Sequence, residues 1–152
     1  METIKIISHR GNINGPVNHK ENRPSYIDSA LQLGFDVEVD IRYENDKFML
    51  GHDTGDYEVS DIWITKRKEN LWFHCKDLNS VYALRKIDPT IIKFCHSSDP
   101  FVLVSNGMTW VHDLKLNLDI NCVIPLMSIY DIDNYNCGKV YGICTDFPIK
   151  LN

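Results

Sequence analysis

No run of hydrophobic residues in this chain is long enough to cross a membrane. The first apolar stretch extends only from Ile4 to Ile7 before the sequence turns polar, far short of the roughly 20 residues a spanning helix needs and too short for a secretory leader. Positive charge is not in excess either. Sixteen Lys and Arg face 21 Asp and Glu, giving a net charge of −5, so no global field gathers nucleic acid. Aromatic residues make up 11% of the chain but are not interleaved with Lys and Arg as in a single-strand-binding groove. The five cysteines (Cys75, Cys95, Cys122, Cys137 and Cys144) include no Cys-x-x-Cys pair, so they read as free, mostly buried thiols. There is no repeat, low-complexity tract or Gly/Ser linker. The expectation is one domain over residues 1–152, cytoplasmic and reduced, with no nucleic-acid partner and no stable membrane insertion; the oligomeric state is left open.

What the chain does have is a series of short apolar runs: Ile4–Ser8, Asp36–Ile41, Leu71–Lys76, Ile91–Cys95, Phe101–Ser105, Met108–His112, Cys122–Leu126 and Tyr141–Thr145. Each is rich in β-branched or aromatic residues and bounded by turn formers, the strand signature. Asp46–Leu50 adds a short extra strand ending at Gly51. Two helices are expected. Ser25–Leu33 places Tyr26, Ile27, Ala30, Leu31 and Leu33 on a broad face, with Pro24 in the first turn and Gly34 as the stop. Leu78–Ile87 carries Val81, Leu84 and Ile87 at helical spacing behind an Asp77 N-cap and ahead of Pro89. Strand–helix alternation at the start implies parallel strands joined by crossovers, and eight strands imply a closed barrel. A (β/α)8 barrel usually needs about 250 residues. At 152 residues the α/β fold is expected to be a reduced or incomplete (β/α)8 TIM-type barrel with several outer helices missing; an open α/β sheet is the alternative.

The residues able to do chemistry fall at strand ends. His9 and Arg10 follow the first strand, with Gly11 allowing a sharp turn. A residue at the C-terminal end of a barrel strand sits on the catalytic face; there His exchanges protons near neutral pH and Arg grips phosphate through paired hydrogen bonds. On the second strand Val37, Val39 and Ile41 alternate with Glu38 and Asp40, so both carboxylates point into the barrel. Two buried acids are costly without compensating cations or donors, and paired carboxylates suit magnesium, calcium or manganese. On the third strand His74 and Lys76 share the inward face, as a metal ligand and a phosphate contact. Gly51-His52-Asp53 supplies a second His with a carboxylate able to orient its ring.

Taken together, His9-Arg10-Gly11, Glu21-Asn22 before a helix, Gly34-x-Asp36-x-Glu38-x-Asp40, Gly51-His52-Asp53 and Gly142-Ile143-x-Thr145-Asp146-x-Pro148 resemble the glycerophosphodiester phosphodiesterase family in order and spacing. That family has a phosphatidylinositol-phospholipase-C-like (β/α)8 barrel. The resemblance implies that His9 and His52 are the acid/base pair, that Arg10 and Lys76 bind phosphate, and that Glu38 and Asp40 hold one divalent metal. Glu21 would order the loop before the helix, and Asp146 would be structural in the same sense or touch the rim of the site. One position departs from the family: the usual third ligand is a Glu two residues before the Lys, and here it is His74. Magnesium or calcium is therefore expected first, with manganese or zinc admitted by the softer imidazole. The implied activity is metal-dependent hydrolysis of a small phosphodiester substrate, a glycerophosphodiester giving an alcohol and glycerol 3-phosphate. The alternatives are a phospholipase-D-like lyase on lysolipid or sphingolipid head groups, for which Trp110 would offer an apolar wall, and a non-catalytic phosphate- or metal-binding relative.

Overall fold

A computed structural model describes residues 3–136 and 138–152, so Cys137 lies outside the described residues. The chain runs β1 (Lys5–His9), α1 (Pro24–Gln32), β2 (Asp36–Glu44), β3 (Lys47–Leu50), β4 (Tyr57–Val59), α2 (Asp61–Thr65), β5 (Leu71–Cys75) and α3 (Leu78–Ile87). It continues through β6 (Lys93–Phe94), β7 (Phe101–Leu103), β8 (Thr109–Val111), β9 (Cys122–Pro125), α4 (Ile129–Asn134) and β10 (Gly142–Thr145) to a 3-10 turn at Pro148–Lys150.

Seven strands run parallel in the order β6-β5-β2-β1-β10-β9-β8 and curl into a barrel wall. The two ends of the curl are stitched where the Ser105 amide donates to the Lys93 carbonyl (3.0 Å) and the Lys93 amide donates to Ser105 Oγ (2.9 Å). The expectation of a parallel strand at Phe101–Ser105 is corrected here. That strand is β7, shortened to Phe101–Leu103, and it pairs antiparallel with β8 as a hairpin. Asn106-Gly107 turns the hairpin, with Gly107 at φ +90° and its amide bonded to the Val104 carbonyl. Asn-Gly between two apolar runs is a strong hairpin signal. The run at Ile91–Cys95 likewise shortens to Lys93–Phe94, and β1 ends on His9 rather than before it. A second hairpin, β2–β3, turns on Asn45 and Asp46, both at positive φ, and carries β4 as a third strand of the arm.

The two expected helices form as α1 and α3, α1 shifted by one residue, while the short α2 and α4 were not expected. Pro24 opens α1, where its missing N–H is harmless, and Gly34 at φ +89° follows its end. Asp77 caps α3, accepting from the Ser80 amide at 2.6 Å, a contact typically contributing about 1 kcal/mol. These helices bury Ile27, Ala30 and Leu84 against Val37, Val39, Ile41, Leu71 and Phe73 on the outer face of β2 and β5. Each large aliphatic side chain so buried contributes about 1.5–3 kcal/mol. The stretch from Lys93 to Pro125 contains turns but no helix. On that side the wall is backed instead by a smaller cluster of Val111, Cys122, Ile124, Leu126, Val140 and Ile143 with Leu118 and Ile132.

The barrel interior is layered. At the N-terminal end of the strands Asp36 is a buried plug, held by Lys5 Nζ (3.3 Å), Asn70 Nδ2 (2.9 Å) and Trp72 Nε1 (3.0 Å). Above it sits an apolar layer of Ile7, Trp72, Phe94, Trp110, Val123 and Cys144. Trp110 is 3% exposed and stacks on Phe94 at 4.5 Å, so it belongs to the core and offers no wall to a lipid chain. This dry layer is the floor of everything polar above it.

Candidate active site

Strand register alone brings the candidate residues to one mouth. His9 pairs with Glu38 across β1–β2, and Asp40 pairs with His74 across β2–β5. Ser8 pairs with Thr145 across β1–β10, so His9 and Asp146 are the next step along both strands. Since alternate residues share a face, the inward set at the C-terminal ends is His9, Glu38, Asp40, His74, Lys76 and Asp146.

Glu38, Asp40 and His74 offer ligand atoms that all lie within 4.8 Å of one another. Glu38 is 3% exposed and Asp40 is fully buried, and Glu38 Oε2 and Asp40 Oδ1 have no hydrogen-bond partner. Buried carboxylate oxygens without donors cost several kcal/mol unless a cation compensates. Two such oxygens beside an imidazole therefore fit a divalent metal of mixed N/O preference. Within the chain itself His74 supplies part of the compensation. Its Nδ1 stands 3.3 Å from Asp40 Oδ1 and 3.6 Å from Glu38 Oε1. Burial opposes charge on this ring, but the facing Asp40 and Glu38 carboxylates outweigh it and push the pKa up to about 9. Burial would likewise raise Asp40, yet the facing His74 ring and the Arg10 charge hold its carboxyl well below the usual range.

Asp40 is also gripped from the other side. Asn22 Nδ2 donates to Asp40 Oδ2 (2.9 Å), and the Asp40 amide donates back to Asn22 Oδ1 (2.9 Å). Arg10 Nε lies 2.9 Å from Asp40 Oδ2 as an ion pair off the line of a hydrogen bond, while its Nη1 donates to Glu21 at 3.1 Å. Arg10 and Asn22 both adopt left-handed backbone, φ 56° and 61°. They hold each other there, because the Asn22 amide donates to the Arg10 carbonyl and the Arg10 amide to Glu38. Strain of this kind persists only where surrounding contacts over-determine it. Gly11 has no alternative, since a Cβ would meet Tyr26 at 3.0 Å and the Ile27 amide at 3.2 Å.

His9 Nδ1 donates to Asp146 Oδ1 at 2.8 Å, which leaves Nε2 facing Glu38 Oε2 at 3.8 Å. Burial lowers the His9 pKa, but the Asp146 hydrogen bond and the Glu38 charge more than offset it, and the net shift is upward. Asn12 Nδ2 ties Asp146 to Glu21, at 2.8 and 2.9 Å. Asp146 is thus the orienting partner of His9 rather than a remote structural residue. Asn12 was not singled out by sequence reasoning, and Asn22 entered only within the Glu21-Asn22 motif and without a role, because neutral amides carry no titratable or ligand-spacing signature.

His52 sits farther out, on the arm. Its Nδ1 is 2.7 Å from Asp53 Oδ1 and its carbonyl accepts from Arg42 at 2.6 Å. The side chain is 41% exposed, so it is free to approach a ligand. Gly51 shapes this turn at φ +151°, where a Cβ would overlap the Thr54 carbonyl. Two clefts meet at His52. One, about 450 Å³, is lined by His9, Arg10, Glu21, Asn22, His52 and Asp146; the other, about 710 Å³, by His52, His74, Lys76, Cys95, His96 and Asp99. Lys76 Nζ is 3.8 Å from Asp40 Oδ1. Five of the seven candidate residues, His9, Arg10, His52, His74 and Lys76, line the two adjoining clefts, while Glu38 and Asp40 are buried beside them.

Fold and mouth define a TIM-like α/β barrel of reduced helical content with a carboxylate- and histidine-lined C-terminal face. Among solved structures, that of glycerophosphodiester phosphodiesterase from Agrobacterium tumefaciens is similar: it matches with a TM-score of 0.57 over 96% of this chain and 97% of that chain, at 14% sequence identity. No protein-family model and no curated protein matches the sequence. The resemblance carried by the sequence motifs is therefore met at the level of the fold. No helix among the described residues is long and apolar enough to cross a membrane.

Proposed function

We propose that this chain is a metal-assisted phosphodiester hydrolase that cleaves a glycerophosphodiester into an alcohol and glycerol 3-phosphate. The observation that carries the reading is the pairing of an oriented His9 with the Glu38–Asp40–His74 group in one mouth. Glu38, Asp40 and His74 would hold one divalent ion, which supplies Lewis-acid polarisation of the phosphoryl group and a more acidic nucleophile. Arg10 and Lys76 provide the local positive charge that a phosphodiester anion requires against the chain's net −5.

The two histidines divide the proton work by environment. His9, with its pKa raised and Nδ1 committed to Asp146, presents a protonated Nε2 and acts as the acid that delivers a proton to the leaving alkoxide. His52, exposed and backed by Asp53, acts as the base that takes the proton of the attacking water. Each such transfer is typically worth about 10²–10⁴ in rate. The barrel with outer helices dispensed with, a cytoplasmic setting and a small-molecule partner complete the proposal.

The test is turnover of glycerophosphocholine and of an aryl phosphodiester with each of magnesium, calcium, manganese and zinc, for the wild type, His9→Ala and His52→Ala. Metal-dependent hydrolysis that both substitutions abolish is expected. Measurable metal binding with no turnover under any metal would refute hydrolysis and leave a binding module.

A further inference from the structure

Cys75 ends β5, and Cys95 directly follows β6. The β5–β6 register pairs Phe73 with Lys93 and His74 with Phe94, so one step further Cys75 faces Cys95 across two adjacent parallel strands. Neighbouring strands lie about 4.8 Å apart, inside the Cα separation a disulfide spans. Both cysteines border the larger cleft. Their exposures differ: Cys75 is 4% exposed, whereas Cys95 is open to solvent and lines the larger cleft. The proposed hydrolysis uses neither.

We propose that Cys75 and Cys95 form a reversible dithiol–disulfide site that responds to peroxides. Exposed Cys95 attacks the O–O bond as its thiolate, becoming a sulfenic acid while the peroxide leaves as an alcohol or water. The Cys75 thiol then attacks the sulfenic sulfur, the S–S bond forms, and the sulfenic oxygen departs as water with the thiol proton. Two electrons leave the pair of thiols and reduce one peroxide, so the step balances without another reagent. A small thiol reverses it by exchange.

The bond would tie β5 to β6 one residue from His74 and one residue from His96, whose carbonyl accepts from His74 Nε2 at 3.1 Å. Oxidation therefore pins the wall of the larger cleft and the loop that begins at His96. Closing the roughly 20-residue chain segment between the cysteines restricts the unfolded state and raises the melting temperature by about 5 °C or more.

The experiment treats the reduced full chain with a small molar excess of hydrogen peroxide, blocks remaining thiols with iodoacetamide, and maps peptides by mass spectrometry. A Cys75–Cys95 cross-linked peptide two hydrogens lighter than the free pair is expected, together with the rise in melting temperature and loss of both on adding dithiothreitol. Cys75→Ser should leave Cys95 as a sulfenic acid trapped by dimedone, and Cys95→Ser should leave Cys75 reduced. Over-oxidation of wild-type Cys95 to sulfinic acid beside an alkylated Cys75 would overturn the proposal. So would a link from Cys95 to Cys137 or to a second molecule. These readouts are independent of phosphodiesterase activity.

Discussion

Asp146 reaches His9 across 137 residues of sequence to hold its Nδ1 at 2.8 Å. The contact fixes the imidazole tautomer, aims Nε2 at the mouth, and leaves Asp146 behind the ring rather than in the cleft's reacting centre. The arrangement follows from β1 and β10 being parallel neighbours. Asp146→Asn retains the partnership with Asn12 but removes the negative charge that stabilises a protonated His9. The His9 pKa should therefore fall, as followed by NMR titration of the ring. On the proposed substrates kcat should drop about 100-fold or more with KM little changed. An unaltered kcat would show that His9 is not the proton donor.

Asn22 is the keystone on the opposite side of the metal group. It is 2% exposed, and its side chain makes both reciprocal contacts with Asp40. Asn22→Ala leaves the Asp40 amide and Oδ2 each short of a partner and places a Cβ residue at φ 61° without the local hydrogen bonding that Asn supplies. The expected loss is about 2–3 kcal/mol, read as a fall of about 5–10 °C in Tm. Asn22→Gly relieves the backbone strain but not the lost hydrogen bonds, so it should fall between alanine variant and wild type. Equal losses in the two variants would mean that the strain at position 22 costs nothing.

How much of this was legible in the sequence depends on whether a feature is local. The alternation of Val37, Val39 and Ile41 with Asp36, Glu38 and Asp40 reveals which face of β2 is polar, because a strand's period is two. The boundaries of α1 and α3 are written in Pro24, Gly34 and Asp77. The direction of β7 was also within reach, since Asn106-Gly107 marks the turn; strand propensity alone masked it, because propensity says nothing about which neighbour a strand pairs with. The partnership of Asp146 with His9 lies in the β1–β10 register, which no local pattern encodes. The same holds for Cys75 and Cys95, which read singly as apolar fillers and face each other only because β5 and β6 are neighbours.

His112 gives a second pH signature, at the edge of the barrel mouth. Its ring stacks on His96 with centroids 3.5 Å apart, and its Nε2 is buried without a partner. Burial, then the His96 and His74 charges, push its pKa down to about 4. The unfolded chain binds a proton at this residue near pH 6.5, whereas the folded protein resists until about 4, so stability is lost as the pH falls through that window. Because the residue is partly exposed, the effect should be roughly 1 kcal/mol after solvent screening. Urea denaturation of wild type and His112→Asn at pH 7 and pH 4.5 measures it. The wild type should lose more stability than the variant; parallel losses would place His112 in an unperturbed environment.

The third ligand position offers the sharpest reading of metal choice. In the metal-free protein His74 faces two buried carboxylates as their cationic partner. His74→Glu replaces that cation with a third acid of the kind the family resemblance leads one to expect. Three carboxylates in a mouth this buried repel one another, so the metal-free variant should be less stable than wild type by several kcal/mol, as for a broken buried ion pair. The all-oxygen set should in turn favour hard cations, shifting the affinity ratio of magnesium over zinc upward by at least about tenfold. Isothermal titration with each ion, alongside Tm with and without metal, separates the two effects. The stabilisation conferred by magnesium should be larger in the variant than in wild type, because the ion then supplies charge compensation that His74 no longer does. If neither ion raises the Tm of the variant, Glu38, Asp40 and residue 74 do not form a metal site.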